Sequence, residues 1–297
     1  MRTDERSQGV WRLQVRRWLS VLIGSVAFGA ASLVTAGPAV AGSPGWISIC
    51  DYSHSVTADP IVYPGLKVAG HPHDFYGNRT TNGLSTVLSL SKGTTTCAMT
   101  SDLAAYWAPS VIVNGTVVRP HSGSFYYQNI TRPAKAIKPF PQGLKIIAGD
   151  AHALVPPTST KVFYWGCGDG GPSSSFLHPV DCGKGWVTVH VNFPDCWDGK
   201  HLDSLDHKSH MAYSIDPVDG RYHCPQSHPV PVPRLTYALE FPVHDGRRIT
   251  LGSGPAYTMH ADFINTWKQK RLNRMVSKCI NANVDCGKPG TSAIHRT

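Results

Sequence analysis

The chain has 297 residues, with 28 Lys/Arg against 19 Asp/Glu, a formal charge of +9 and eight cysteines. The positive charge is spread rather than clustered and carries no nucleic-acid motif, which argues against nucleic-acid binding. No C-x-x-C occurs, which argues against a zinc ribbon or a thioredoxin-like redox site.

The first forty or so residues read as an export leader. Arg12, Arg16 and Arg17 precede an apolar run from Trp18 to Val34, and Ala39-Val40-Ala41 offers a small-x-small cleavage site. Ser and Gly dilute that run, and it is short for a membrane span. The expectation is a signal peptide over 1–41, resembling a twin-arginine leader at Arg16-Arg17, and a single secreted domain over 42–297 with no membrane insertion after cleavage. Every cysteine lies beyond the leader, and an even number in an exported chain reads as disulfides. Sequential pairing is expected: Cys50–Cys97, Cys167–Cys182, Cys196–Cys224 and Cys279–Cys286.

After the leader the only glutamate is Glu240, while Gly, Pro, Ser and Thr abound, so strands and long ordered loops should dominate over helix. Trp46 to Cys50 alternates apolar and polar residues and predicts the first strand. His71 and His73, two apart in an extended segment, should share one face. Asn114-Gly115 between Ser110-Val-Ile-Val and Thr116-Val-Val-Arg119 predicts a tight hairpin. Further strands are expected around Phe125 to Tyr127, Leu144 to Ala148, Lys161 to Trp165, Trp186 to Val191 and Leu235 to Phe241. Pro229 to Pro233 can only be an edge or extended piece. Asp262 to Lys278 reads as the one helix, at the C-terminal end. These elements predict a mostly-β domain, a two-sheet sandwich of jelly-roll type with long disulfide-closed loops.

The segment from Asn192 to Pro233 concentrates His and Asp, groups that coordinate metals, hydrogen-bond or move protons, and it contains no glutamate. GHPHDFYGN (70–78) and MHADF (259–263) look like its partners. DPIVYPG (59–65), HPHDFYGNRTTN (71–82), AYWAP (105–109), GLKIIAGD (143–150), CWDGKHLDSLDHKSHMAYS (196–214), CPQSHPVPVP (224–233) and HADFINTW (260–267) together resemble the secreted family catalogued as domain of unknown function nineteen ninety-six. The resemblance implies a secreted single domain that sometimes accompanies carbohydrate-binding modules, and it implies no established reaction.

The His spacings decide the candidate chemistry. His71 and His73, His207 and His210, and His260 with Asp262 can each place two groups on one side of one element, as metal sites require. The metal-ligand expectation is His71, His73, His210 and His260, with a divalent ion as the cofactor. Catalytic roles are expected for His73, Asp74, His207, His210 and His260, where Asp74 and Asp206 orient the imidazoles. Substrate contacts are expected from Asp195, Trp197 and Tyr213. H-E-x-x-H and G-x-S-x-G are both absent. The leading function is a monomeric secreted protein that binds or acts on extracellular polysaccharide. The alternative is a non-catalytic, wall-associated protein whose histidines are structural.

Overall fold

Residues 44–129, 137–168, 174–215 and 222–289 are described by a computed structural model. The leader and its twin-arginine pair lie outside the described residues. The strands in chain order are β1 (Gly45–Thr57), β2 (Pro72–Gly77), β3 (Ala105–Pro109), β4 (Val111–Val113), β5 (Thr116–Val118), β6 (Ser122–Gln128), β7 (Lys145–Gly149), β8 (Phe163–Cys167), β9 (Val187–Asn192), β10 (Cys196–Trp197), β11 (Met211–Ala212), β12 (Val230–Pro231), β13 (Arg234–Phe241), β14 (Ile249–Leu251), β15 (Gly254–Pro255) and β16 (His260–Ile264). The helices are α1 (Val87–Ser91) and α2 (Gln269–Met275), the latter running into a π-helical turn at Val276–Ile280.

Alternation in the sequence becomes alternation in burial. Every second residue of β6, β9 and β13 is buried, as a strand with one face on a core requires. Nine strands hydrogen-bond in the order β7-β16-β3-β2-β1-β6-β13-β9-β8, and every pairing is antiparallel. β1 carries the change of direction. Its first half, Gly45 to Asp51, pairs with β6, and its second half, Tyr52 to Thr57, pairs with β2, with an irregularity between Tyr52 and His54. Such bulges bend a strand and let it serve two sheets.

One hydrogen bond proves the bend. Tyr237 of β13 donates its hydroxyl proton to the Asp262 carbonyl of β16 at 2.6 Å, although four strands separate the two in the hydrogen-bonding order. At about 4.8 Å per strand a flat sheet would hold them about 24 Å apart. The sheet therefore folds at β1 into two facing halves, a sandwich made from one continuous array. Between the halves, Tyr106 packs against Phe125, Tyr237 and Phe263 with ring centroids 4.0, 5.7 and 5.5 Å away. Trp46 stacks on Tyr127 at 4.7 Å, with Trp267 edge-on to both.

The mostly-β class, the antiparallel sheets, the C-terminal helix and the disulfide framework are as expected, and all four bridges join the cysteines in sequential pairs. The jelly-roll arrangement is not confirmed, since both halves share β1 and form one nine-stranded array. The Asn114-Gly115 hairpin joins β4 and β5, and both turn residues have positive φ (51° and 78°), as a type I′ turn demands. The expected helix from Asp262 begins only at Gln269. His260 to Ile264 is instead a strand between β3 and β7, and because it is buried on both faces it shows no apolar–polar alternation to set it apart from a helical reading. No helix among the described residues is long and apolar enough to cross a membrane.

The outer face of the β2–β3–β16 half carries a second, smaller apolar cluster of Ile61, Phe75, Leu90, Trp107 and Ile264. His73 lies two residues from Phe75, and Asp262 lies two residues from Ile264. Strand periodicity therefore sets both polar residues on this outer face.

Candidate functional site

His71, His73 and His260 meet on that face. His71 Nε2 and His73 Nε2 lie 3.1 and 3.3 Å from His260 Nε2. β2 and β16 are both neighbours of β3, so pairing across β3 brings together two histidines 187 positions apart in the chain. His71 precedes β2 directly and is half-buried, whereas His73 and His260 are buried.

Tautomers follow from the backbone. His73 Nδ1–H donates to the Ala58 carbonyl at 3.1 Å and His260 Nδ1–H to the Thr258 carbonyl at 2.9 Å. Burial holds His260 down to about pKa 3 against the opposing pull of the Thr258 carbonyl. Burial first, then the neighbouring His260 and His71, holds His73 well below its ordinary value. His71 is lowered by burial and by His152. All three rings are therefore neutral at pH 7. With the proton on Nδ1, the Nε2 atoms of His73 and His260 are bare acceptors facing each other at 3.3 Å, and neither can donate to the other.

Two carboxylates complete the floor. Asp262 is fully buried and neither of its oxygens has a hydrogen-bond partner. Burial raises its pKa well above the usual carboxylate range, and Asp59 adds to the rise. Its Oδ2 lies 4.0 Å from His260 Nε2, which is no ion pair because His260 is neutral. Asp59, His73 and Asp262 also bring one ligand atom each within 4.8 Å of one another, as do His71, His73 and His260. Asp59 Oδ1 is already tied to the Ile61 and Val62 amides at 2.8 and 3.0 Å.

The cluster opens into a cavity of about 250 Å³ lined by His71, His260 and Asp262 below and by Asp150, His207 and Lys208 above. His207 has φ +58° and its Nδ1 lies 2.8 Å from Asp203 Oδ1, while Asp203 Oδ2 accepts from Lys145 Nζ at 2.8 Å. Lys208 Nζ donates to the Gly149 carbonyl at 2.8 Å, which fastens this wall to the end of β7.

Of the remaining expected site residues, Asp206 lines the same cavity, His210 the adjoining polar groove and Tyr213 the adjoining apolar trough. His210 is buried, but its Nδ1 meets Ser204 Oγ at 2.9 Å and its Nε2 meets the Lys145 carbonyl at 2.7 Å. With both nitrogens engaged it pins its loop to β7 and offers no lone pair to a metal. Asp74 lies one residue from His73 and so faces the opposite side of β2, accepting from Ser55 and Ser110. The His73 and His260 rings are oriented by carbonyls rather than by Asp74 or Asp206. Asp206 instead accepts from the Lys208 and Ser209 amides within its own turn. Asp195 is held by Ser214 and Arg234. Tyr213 donates to the Asn192 carbonyl at 2.8 Å, and Trp197 Nε1–H donates to the His201 carbonyl at 2.7 Å. The segment Asn192 to Pro233 thus builds a wall of the cleft through His207 and Lys208, and the clustered histidines come from β2, its leading residue His71, and β16. Asp59 was missed; an aspartate before proline in DPIVYPG reads as a turn former, and only its burial marks it out.

No curated protein and no solved structure matches the chain. The family described as Domain of unknown function (DUF1996) matches residues 59–267, a span that runs from Asp59 past Asp262 and contains all three clustered histidines. The chain belongs to that family.

Proposed function

We propose that the protein is a secreted metalloprotein in which His71, His73 and His260 hold one divalent first-row metal ion at the floor of a cleft that receives extracellular polysaccharide. The carrying observation is the facing pair of bare Nε2 atoms at 3.3 Å, with a third Nε2 at 3.1 Å. Nitrogens bound tetrahedrally to zinc at about 2.0–2.1 Å stand about 3.3–3.4 Å apart, so the imidazoles already have the spacing of ligands on one ion. The carbonyls on Nδ1 supply the outer support that metal-bound histidines need. A cation would also answer the partnerless Asp262 carboxylate, whose raised pKa a nearby positive charge would reverse. Three imidazoles with a carboxylate nearby suit zinc, and such an ion would supply Lewis-acid polarisation or an activated water.

The four disulfides are consistent with an oxidising, extracellular location. Support for a chain-like ligand comes from the surroundings of the cleft. It shares His207 and Val62 with a polar groove containing Asp198, His201, Ser204 and Ser209. On its other side it shares Asp150 and Lys208 with a trough walled by Val155, Pro157, Phe163 and Tyr257. Hydroxyl-binding groups on one side and flat apolar faces on the other fit a sugar polymer.

Elemental analysis of the purified exported protein tests the metal. About one equivalent of transition metal is expected, lost in His71→Ala and kept in His210→Ala. Absence of metal after dialysis against zinc would overturn the reading and favour the non-catalytic, wall-associated alternative. A glycan array on the loaded protein tests the ligand class, with retention on at least one oligosaccharide expected.

A further inference from the structure

From the same site, and resting on the metal reading above, we infer that the cleft holds a second cation, a hard one such as Mn²⁺ or Mg²⁺, on the carboxylates of Asp59 and Asp262.

Two observations support a second position. First, the candidate ligands form two trios that overlap: His71, His73 and His260 in one, and Asp59, His73 and Asp262 in the other. His73 can give Nε2 to one ion only, since its Nδ1–H is committed to the Ala58 carbonyl. The second trio therefore offers its ion two carboxylates. Second, Asp262 is fully buried with both oxygens lacking any donor. One unmet oxygen could be satisfied by the ion on the imidazoles, to which Oδ2 is 4.0 Å from the nearest nitrogen. Two unmet oxygens call for a charge on each side of the carboxylate.

The chemistry of the second position differs from that of the first. Carboxylates and water suit hard divalent ions, which keep several waters and need few protein ligands. The cavity beside Asp59 and Asp262 has room for those waters. Asp262 would bridge the two ions, an arrangement used where two metals about 3.5–4 Å apart clamp one substrate.

Titration of the zinc-loaded protein with Mn²⁺, followed by the loss of the free Mn²⁺ paramagnetic-resonance signal, tests this directly. One Mn²⁺ per chain is expected in addition to one zinc. Asp59→Asn should weaken Mn²⁺ binding at least tenfold and leave the zinc content unchanged, because the amide oxygen can still accept from Ile61 and Val62 and keep the turn folded. Asp262→Asn should weaken it similarly. A chain that takes one zinc and no Mn²⁺ overturns the second position and leaves the first standing. A chain that takes neither overturns both. Loss of zinc in Asp59→Asn would also overturn the proposal, by making Asp59 a ligand of the first ion.

Discussion

Gly149 shows how closely single residues control the cleft. It ends β7 opposite His260 with φ +85°, and a Cβ there would meet the Met259 carbonyl oxygen at 2.3 Å and His260 Cα at 2.7 Å. Both the conformation and the space require glycine. Gly149→Ala should displace β16, lower zinc affinity by tenfold or more, and leave the distant disulfides intact; a metal titration checks it. His210 makes the opposite case. Its ring holds Ser204 and the Lys145 carbonyl in a buried setting, so His210→Ala should cost about 1–3 kcal/mol for the groups left unmet without changing metal content. Urea unfolding paired with elemental analysis separates the roles, and loss of metal in this variant would restore His210 to the ligand set. Asn78 carries a similar lesson. Asn78-Arg-Thr matches the N-glycosylation pattern, but the side chain is buried and donates to the Leu90 and Leu103 carbonyls, both at 2.8 Å. Sequence spacing identified His71 and His73 because period-two placement on a strand survives folding, and it picked out His260 by its spacing from Asp262 although that strand was read as the start of a helix. It overvalued His210, because nothing local tells whether an imidazole nitrogen will find a carbonyl 65 residues away.

At the scale of elements, β1 is the part on which the sandwich depends, and a buried polar network ties it to its neighbours. Ser48 of β1 and Tyr106 of β3 donate to Asp102 Oδ2 at 2.5 and 2.7 Å, and the Ala104 amide donates to Oδ1 at 3.1 Å. Tyr106 and Tyr127 share a hydroxyl contact of 2.7 Å, and Trp267 donates to Tyr127 at 2.9 Å. Burial pushes Asp102 up to about 7 although these three donors pull it down. The folded pKa lies above the ordinary 3.8, so between those values the folded chain binds the extra proton. The resulting stabilisation is complete below about pH 4 and is lost as pH rises through 7. Three units correspond to roughly 4 kcal/mol. Unfolding free energies at pH 5 and pH 8 should therefore differ by more in wild type than in Asp102→Asn, and equal differences would show that Asp102 binds no extra proton on folding. Strand alternation revealed β6, β9 and β13 in advance, because one face of each meets the core. β16 escaped notice because a strand buried on both faces has no alternation to display.

For the whole molecule, the proposed metal site would link metal binding to stability. Zinc at a hundred times its dissociation constant should add about 2.7 kcal/mol to the stability of the folded chain. For a domain of this size that raises Tm by roughly 5–10 °C, and calorimetry with and without chelator measures it. His71→Ala should abolish the increment while leaving the Tm of the metal-free protein nearly unchanged, since His71 is only half-buried. The disulfides set a second scale of stability. Closing 47 residues between Cys50 and Cys97 constrains the unfolded chain more than closing 7 between Cys279 and Cys286. The loop-entropy relation assigns about 4 and about 2 kcal/mol respectively, so paired Cys→Ser variants should rank in that order in denaturant unfolding. The reverse order would place the stabilisation in native packing.

Composition and turn chemistry determined the β class and the hairpin at Asn114-Gly115 without reference to any fold, because each depends on local conformational preference; cysteine parity implied disulfides, and only the fold fixed their pairing. Residue spacing also placed His71 with His73, and His260 with Asp262, on common faces. Which pairs would meet was decided only by tertiary structure. β2 and β16 flank β3, so His73 and His260 converge, and the loop after Thr57 brings Asp59 to the same floor. His210, from the stretch richest in candidate groups, is used up in holding that stretch in place. Strand order is a non-local property: it depends on the bend at β1 and on which hydrogen-bonding edges pair, and spacing along the chain does not encode it.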